Sequence, residues 1–274
     1  MTKPFTTLTA FSVALGVCLV SSPALAGKSD EARNLGAFTK VAANGSSDVV
    51  ITVGKKQSVT VRAEEGEHVE IMTEVKNGEL TIWRENKKGG WRNHSADVII
   101  TMPELEKLAN RGSGDAVATG IKTDEFVLVQ QGSGDVEIDG SCKSAKITSQ
   151  GSGDLESAKL SCDDVKIKLQ GSGDMTVSKF KTQTVELRAD GSGDVDFEGS
   201  CDTFDLGHRA SGDVDAHTFK CKVVHVKAQG SGDMRVFATN DTTVNIRGSG
   251  DVEVYGGASI SNMETSGSGS VRTR

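Results

Sequence analysis

A four-residue motif, Gly-Ser-Gly-Asp, recurs through the second half of the chain and constrains its fold more than any other feature. Successive copies lie 18 to 20 residues apart. One copy carries Ala210 in place of its first glycine, and the last ends at Ser270 instead of an aspartate. The aspartates of the other copies are Asp115, Asp135, Asp154, Asp174, Asp194, Asp213, Asp233 and Asp251. A fixed period near twenty residues is typical of solenoid proteins.

Each repeat contains two short segments in which apolar and polar residues alternate. Val136 and Ile138 follow Asp135 closely, and Ala145 and Ile147 form a second pair ten and twelve positions after it. Alternation with period two indicates strands with one face inward. Two strands and two turns are too little chain for a βα unit, but they suit one coil of a parallel β-helix. Since parallel crossovers are overwhelmingly right-handed, we predict an all-β, right-handed parallel β-helix of nine coils, each of about 20 residues.

The chain before the repeats is also rich in β-branched residues, but it lacks the twenty-residue period. Short strands are predicted at 49–53, 59–61, 69–71, 80–82 and 98–100, with a hairpin turn at Asn77-Gly78. We interpret residues 38–110 as a β-rich cap on the coils of residues 111–274, the two forming one domain over 38–274. Residues 45–48 (Gly-Ser-Ser-Asp) resemble a degenerate first copy of the motif. Residues 27–37 are polar, and we expect them to be loose.

The first 26 residues have the pattern of a cleaved signal peptide. Lys3 is their only charged residue, an apolar run covers 8–20, and small residues occupy the cleavage positions of Ala24-Leu25-Ala26. We therefore predict export to the periplasm or cell surface, without membrane insertion. Cleavage would leave a chain one unit more acidic than the net charge of −7 of the full sequence. That charge argues against binding to nucleic acid, which requires basic patches.

Four cysteines remain after the signal peptide, and their spacings of 20, 39 and 20 residues are one, two and one repeat lengths. Equivalent positions in neighbouring coils stack about 4.8 Å apart, which is within the range of disulfide Cα separations. We predict the disulfides Cys142–Cys162 and Cys201–Cys221. The alternatives are buried thiols, or a zinc site without any Cys-x-x-Cys pair.

The motif itself has a structural and a functional interpretation. Its glycines permit the positive φ of a sharp turn, and its serine and aspartate can accept hydrogen bonds from backbone amides. Stacked aspartates about 4.8 Å apart would repel each other by roughly 0.9 kcal/mol per pair even in water. Amides, basic side chains such as Arg209 or Arg247, or calcium ions could offset that repulsion. A calcium ladder on the eight aspartates is the alternative, and no other cofactor is expected.

One irregular basic segment lies between the two tryptophans of the chain. Trp83, Trp91 and Arg92 belong to it and could form a binding loop for sugars or proteins. The alternative is a long hairpin loop in which Trp83 covers one end of the core.

The sequence gives only weak indications of a catalytic site. His208, His217 and His225 lie on neighbouring coils and could form a metal or acid/base site, or could simply be scattered surface residues. A polysaccharide lyase or hydrolase would need clustered carboxylates, whereas the acids here are spread evenly along the repeats.

The strand-rich opening, the Met102-Pro103-Glu104-Leu105 step and the serial motif copies together resemble the head GIN domain family of autotransporter adhesins, over about residues 38–272. The resemblance implies a β-helical fold, export and adhesin-like binding, and it offers no catalytic residues to transfer. We therefore expect a non-enzymatic exported module of the bacterial envelope whose partner is a glycan or another cell-surface polymer. A polysaccharide-active enzyme and a calcium-stabilised repeat protein are the alternatives.

Overall fold

The computed structural model describes residues 28–64, 68–85 and 96–274, which form a parallel β-solenoid. Apart from one 3₁₀ turn at His68–Glu70, every regular element in those ranges is a β-strand. The described part of the chain contains no helix that is both long and apolar enough to cross a bilayer.

Eight coils of about 20 residues follow Asp115, and the ninth motif copy leads only into a short last strand. The strands of this stack are β9 (Ala116–Gln130), β10 (Val136–Ser149), β11 (Leu155–Ser157), β12 (Leu160–Leu169), β13 (Met175–Lys181), β14 (Thr184–Ala189), β15 (Val195–His208), β16 (Val214–Ala228), β17 (Met234–Gly248), β18 (Val252–Tyr255), β19 (Ser259–Gly267) and β20 (Val271–Thr273).

Every strand of the stack pairs in parallel with its equivalent one coil on, as the repeat predicts. In the β10–β12 pair, Ala145 lies opposite Val165 and Ile147 opposite Ile167. The apolar members of each alternating pair are buried from β9 to β18, because successive side chains of a strand point to opposite faces, whereas β19 is mostly exposed. The result is one continuous core of stacked aliphatic side chains, which also contains a cluster of buried rings formed by Phe180, Phe197, Phe204 and Phe219.

Two disulfides connect neighbouring coils with the predicted pairing. Cys142 bonds to Cys162, and Cys201 bonds to Cys221, each pair with a Cα–Cα separation of 4.5 Å. The paired cysteines are also register partners in their strands, so each bridge fixes the alignment that the backbone pairing already has.

The N-terminal cap consists of a first coil and an antiparallel insertion. Its strands are β1 (Ser29–Arg33), β2 (Lys40–Asn44), β3 (Asp48–Val53), β4 (Ser58–Ala63), β5 (Ile71–Lys76), β6 (Glu79–Arg84), β7 (Asp97–Met102) and β8 (Lys107–Asn110). Strands β2 and β3 pair in parallel with β8 and β9, so they are the first coil of the stack. The chain between them adds the antiparallel pairs β4–β7 and β5–β6.

Several details of the cap differ from the sequence predictions. Residues 27–37 were expected to be loose, but Ser29–Arg33 form β1, which pairs with β4 and is held by an ion pair of 2.7 Å between Arg62 and Asp30. The strand predicted at 69–71 begins as the 3₁₀ turn. The hairpin turn is where the sequence places it, with φ of 51° at Asn77 and 73° at Gly78.

Candidate functional site

The motif aspartates form a single column in which each carboxylate holds the coil that follows. The backbone amide of Asp135 donates to Oδ1 of Asp115 at 2.9 Å, and the amide of Asp154 donates to Oδ1 of Asp135 at 2.8 Å. The same bond recurs at every step to Asp251, with distances from 2.7 to 2.9 Å. We call this column the aspartate ladder.

The ladder extends beyond the regular repeats at both ends. At the start, Asp48 of the degenerate copy accepts from the amide of Asp115 at 2.9 Å, which makes residues 45–48 its first rung. At the end, Ser270 donates both its amide and its hydroxyl to Asp251, at 2.8 and 2.9 Å. Serine in the last copy thus closes the ladder on the coil below it.

Amide donors are the main groups that offset repulsion between the aspartates. A carboxylate that accepts a backbone N–H bond has part of its charge compensated locally. Of the two arginines considered from the sequence, Arg209 pairs with Asp190 at 2.9 Å instead of with the ladder. The hydrogen bonds from Ser270, together with the charge of Arg272 at 3.5 Å, lower the pKa of the Asp251 carboxyl.

The glycines of the motif are required for close approach between coils, which corrects the reason expected from the sequence. Among the motif glycines from Gly112 to Gly269, only Gly132 and Gly267 have φ in the left-handed range. A Cβ on Gly171 would instead lie 1.7 Å from the carbonyl oxygen of Gly151. That carbonyl accepts the amide of Ser172 at 3.1 Å, so stacked turns bond directly to one another and leave no room for a side chain.

Because the glycines carry no side chains, a groove of ≈ 730 Å³ runs over four stacked turns. Along one side, Nε of Arg111 donates to Gln131 at 3.2 Å, Gln131 donates to Gln150 at 2.8 Å, and Gln150 donates to Gln170 at 2.9 Å. The remaining polar side chains of its lining are Ser113, Ser133, Ser152 and Ser172. We call this feature the turn groove.

This row of amides was not predicted from the sequence, although a signal for it exists. Arg111, Gln131, Gln150 and Gln170 all stand four residues before a motif aspartate. A polar residue that recurs at one offset in a solenoid must form a column, and glutamine can both donate to and accept from its neighbours.

A second missed feature is a set of polar side chains inside the stack, which occupy the position five residues before the aspartate in some of the coils. Asn110 and Gln130 are buried, and their amides donate to the carbonyls of Gly114 and Gly134 at 2.8 and 3.0 Å. His208 occupies the same position before Asp213, and its Nε2 lies 2.7 Å from the carbonyl oxygen of Gly212. Burial lowers the pKa of His208, although the bond to Gly212 and the charge of Asp213 act in the opposite direction.

The three histidines suggested as a site are not brought together. His208 is 1% exposed within the stack, His217 bonds to Asp215, and His225 contacts Thr243 at 2.8 Å. Within the described ranges, no group of three or more His, Cys, Asp or Glu side chains is arranged to hold a metal ion.

The suggested binding loop is only partly described. Trp83 is half-buried near the end of β6, opposite Asn44 of β2 and Met72 of β5. Trp91 and Arg92 lie outside the described residues, as does the predicted signal peptide.

The protein is a parallel β-solenoid with an open polar groove. Its coils are connected by two disulfides and by the aspartate ladder. The chain belongs to the family described as "Putative auto-transporter adhesin, head GIN domain", whose model matches residues 37–197 and 145–258. The resemblance seen in the sequence is thereby confirmed. A comparison with curated proteins finds no match.

Solved structures from bacteria share the fold over most of the chain. A "putative lipid binding protein" from Parabacteroides distasonis is 21% identical, with a TM-score of 0.67 over 90% of this chain and 97% of that chain. A "putative adhesin" from Parabacteroides merdae is 16% identical, with a TM-score of 0.66 over 90% of this chain and 96% of that chain. At these identities the similarity shows the fold alone.

Proposed function

We propose that this protein is a non-enzymatic, exported binding module of the bacterial cell envelope that holds an extended, uncharged polymer such as a glycan along its turn groove. The observation that carries the proposal is the groove itself, in which a serine hydroxyl recurs on four successive coils and a glutamine amide on two of them. Membership of the adhesin head family supports a binding role.

The chemistry of the groove favours hydroxyl-rich ligands. Gln131 and Gln150 each use one N–H and one lone pair in bonds to their neighbours in the row. The second N–H and the second lone pair of the amide stay available. Hydroxyl groups of a sugar can both donate and accept, so they match such a surface. Arg111 is the only charged residue in the lining, which gives a strongly charged polymer little to pair with.

Repetition converts weak contacts into useful affinity. A polymer that lies along the rod meets an equivalent set of groups about every 4.8 Å. Once one unit is bound, the next unit binds at a high effective concentration, so the affinity rises with the number of units engaged. An edge held by the aspartate ladder suits this mode because each coil is hydrogen-bonded to the next in a regular register.

Export to the periplasm or cell surface is part of the proposal. The two disulfides are typical of oxidising compartments, and the first 26 residues have the pattern of a signal peptide. N-terminal sequencing of the protein purified from an envelope fraction tests this directly, with Gly27 expected as the first residue.

Glycan-array binding combined with a product assay tests the binding role against the enzymatic alternative. The purified mature protein should bind to neutral polysaccharides on the array without releasing reducing ends or unsaturated products from them. Product release from any retained polymer would contradict the non-enzymatic assignment. If the protein binds none of the neutral polysaccharides, the glycan part of the proposal is contradicted.

A further inference from the structure

A second concavity, larger than the turn groove, lies on the outer surface of the cap. Its volume is ≈ 940 Å³, and its lining comes from β2, the β5–β6 hairpin with Lys76 and Asn77, β8, β9 and the loop before β8. It shares no lining residue with the turn groove. We call it the cap cleft. Its volume is within the range of small-molecule binding sites.

Two of the carboxylates in the cap cleft are neutralised by lysines of the same cleft. Glu79 pairs with Lys107 at 2.8 Å, and both side chains are about three-quarters buried. Glu106 lies 3.8 Å from Lys40 and accepts the hydroxyl of Thr39 at 2.9 Å. These pairs place ammonium and carboxylate groups side by side across the cleft.

Two further carboxylates have no cation beside them. Glu104 accepts the hydroxyl of Thr123 at 3.0 Å, and the same hydroxyl lies 3.4 Å from the backbone carbonyl of Glu125. Glu104 and Glu125 both line the cleft, and no lysine or arginine of the described ranges forms an ion pair with either. The neighbouring Asp124 is paired with Lys143, which lies outside the lining. The cleft therefore carries an excess of negative charge next to Thr123.

Trp83 lies close to this cleft on the same strand face. Thr81 is part of the lining, and Trp83 follows it by two residues on β6, so both side chains point to the same side of the sheet. Trp83 itself is outside the lining, but a half-buried indole on the same face of the sheet offers a surface on which a sugar ring can pack.

We propose that the cap cleft binds a saccharide that carries a free amino group. The ammonium of the ligand would lie between Glu104 and Glu125, where it supplies the missing positive charge. Its hydroxyls would bond to the alternating Lys107, Glu79 and Lys40 groups, since each hydroxyl can donate and accept. This goes beyond the proposed function, because it adds a discrete site with its own ligand class on a different surface of the protein.

Isothermal titration of the mature protein tests this with three probes: a glucosamine tetrasaccharide, its fully N-acetylated counterpart, and the diamine putrescine. The glucosamine tetrasaccharide should bind, and its affinity should fall as salt rises. The acetylated sugar lacks the positive charge and putrescine lacks the hydroxyls, so each should bind at least about tenfold more weakly. An absence of binding by the glucosamine tetrasaccharide, or equal binding by either of the other probes, would overturn the proposal.

Two variants and two controls locate the site. Glu104→Gln and Glu125→Gln should each weaken binding about tenfold, whereas Glu137→Gln, at an exposed position outside the lining, should not. Unchanged affinity in both cleft variants would refute the placement. The turn-groove variant Gln150→Ala/Gln170→Ala should keep its affinity for the amino sugar, so a failure of this proposal and a failure of the proposed function give different results.

Discussion

The backbone amide of Asp194 lies 2.8 Å from Oδ1 of Asp174, so the side chain that ends one motif copy holds the first residue of the next coil. The carbonyl of Asp194 in turn accepts the amide of Met175 at 2.9 Å. Each aspartate therefore contacts the coil below it through both of its backbone polar groups. This arrangement explains why a carboxylate recurs in every coil without any need for a ligand.

Replacement of one rung should weaken the stack measurably. Asp174→Ala removes the acceptor of the Asp194 amide, and we expect the free energy of unfolding to fall by about 1 kcal/mol. Asp174→Asn should cost less, because its amide oxygen can still accept the bond. Urea unfolding followed by circular dichroism measures both values.

Glu156→Ala is the matched control for this change, because Glu156 is an exposed carboxylate of the preceding coil and lies outside the ladder. Its effect should stay within about 0.5 kcal/mol. If the loss for Glu156→Ala equals that for Asp174→Ala, the ladder bond has no special role.

A methyl group at a stacked glycine should force two coils apart. Gly171→Ala would place Cβ 1.7 Å from the Gly151 carbonyl oxygen, and we expect a loss of about 1–3 kcal/mol. Gly36→Ala is the control, because a Cβ there meets no atom within 4 Å. Thermal unfolding of the two variants compares them, and equal midpoints would show that close approach does not explain the glycines.

The natural sequence already contains one such replacement, which helps to set the expected size. Ala210 stands where other copies have their first glycine, and there the amide of Ser211 lies 3.4 Å from the Gly191 carbonyl. The corresponding distance from Ser172 to Gly151 is 3.1 Å. A single alanine is thus tolerated at the expense of a longer hydrogen bond, so Gly171→Ala should weaken the fold without abolishing it.

Stability should depend on pH through His208. Its pKa is lowered in the folded protein, whereas the unfolded chain takes up the proton near pH 6.5. The unfolded state then binds more protons, so the free energy of unfolding falls as the pH drops below about 6.5. His208→Gln should remove this component, since Gln130 makes the equivalent bond to Gly134. Unfolding measured from pH 8 to pH 5 should show a shallower decline for the variant, and identical profiles would contradict the assignment.

Calcium should have no effect on the stability of the repeats. The ladder carboxylates already accept backbone amides, so the column does not need a cation for its coils to stack. Thermal unfolding in millimolar calcium and in excess chelator should give the same midpoint. A higher midpoint in calcium would mean that the aspartates from Asp115 to Asp251 bind the ion.

Much of the fold is predictable because the repeat acts through backbone geometry. The recurrence of Asp135 and Asp154 at equivalent positions sets the coil length, and the spacing of Cys142 and Cys162 follows from the same stacking. The right-handed winding stays a prediction from the general rule on parallel crossovers. The cap was less predictable, since β1 and β2 pair with strands that are far away in the sequence.

The candidate site was harder to predict for a different reason. The sequence shows that a glycine recurs at the position of Gly171 in all motif copies but the one with Ala210, but the distance of its missing Cβ from Gly151 appears only when the coils are stacked. The cap cleft was missed altogether, because Glu104 lies in the loop before β8, Glu125 lies on β9, and the two meet only through Thr123. Such contacts depend on how neighbouring coils stack, so they cannot be predicted from the sequence of a single repeat.

The most direct test of the account is the binding of a neutral polysaccharide, taken from the glycan array, to a variant that lacks Gln150 of the turn-groove lining and Gln170, the next glutamine of the row. Gln150→Ala/Gln170→Ala should reduce the affinity about tenfold, while Lys146→Ala/Lys166→Ala, on the exposed strand faces of the same two coils, should leave it unchanged. Equal affinity of the groove variant and the wild-type protein would contradict the claim that this edge holds the polymer.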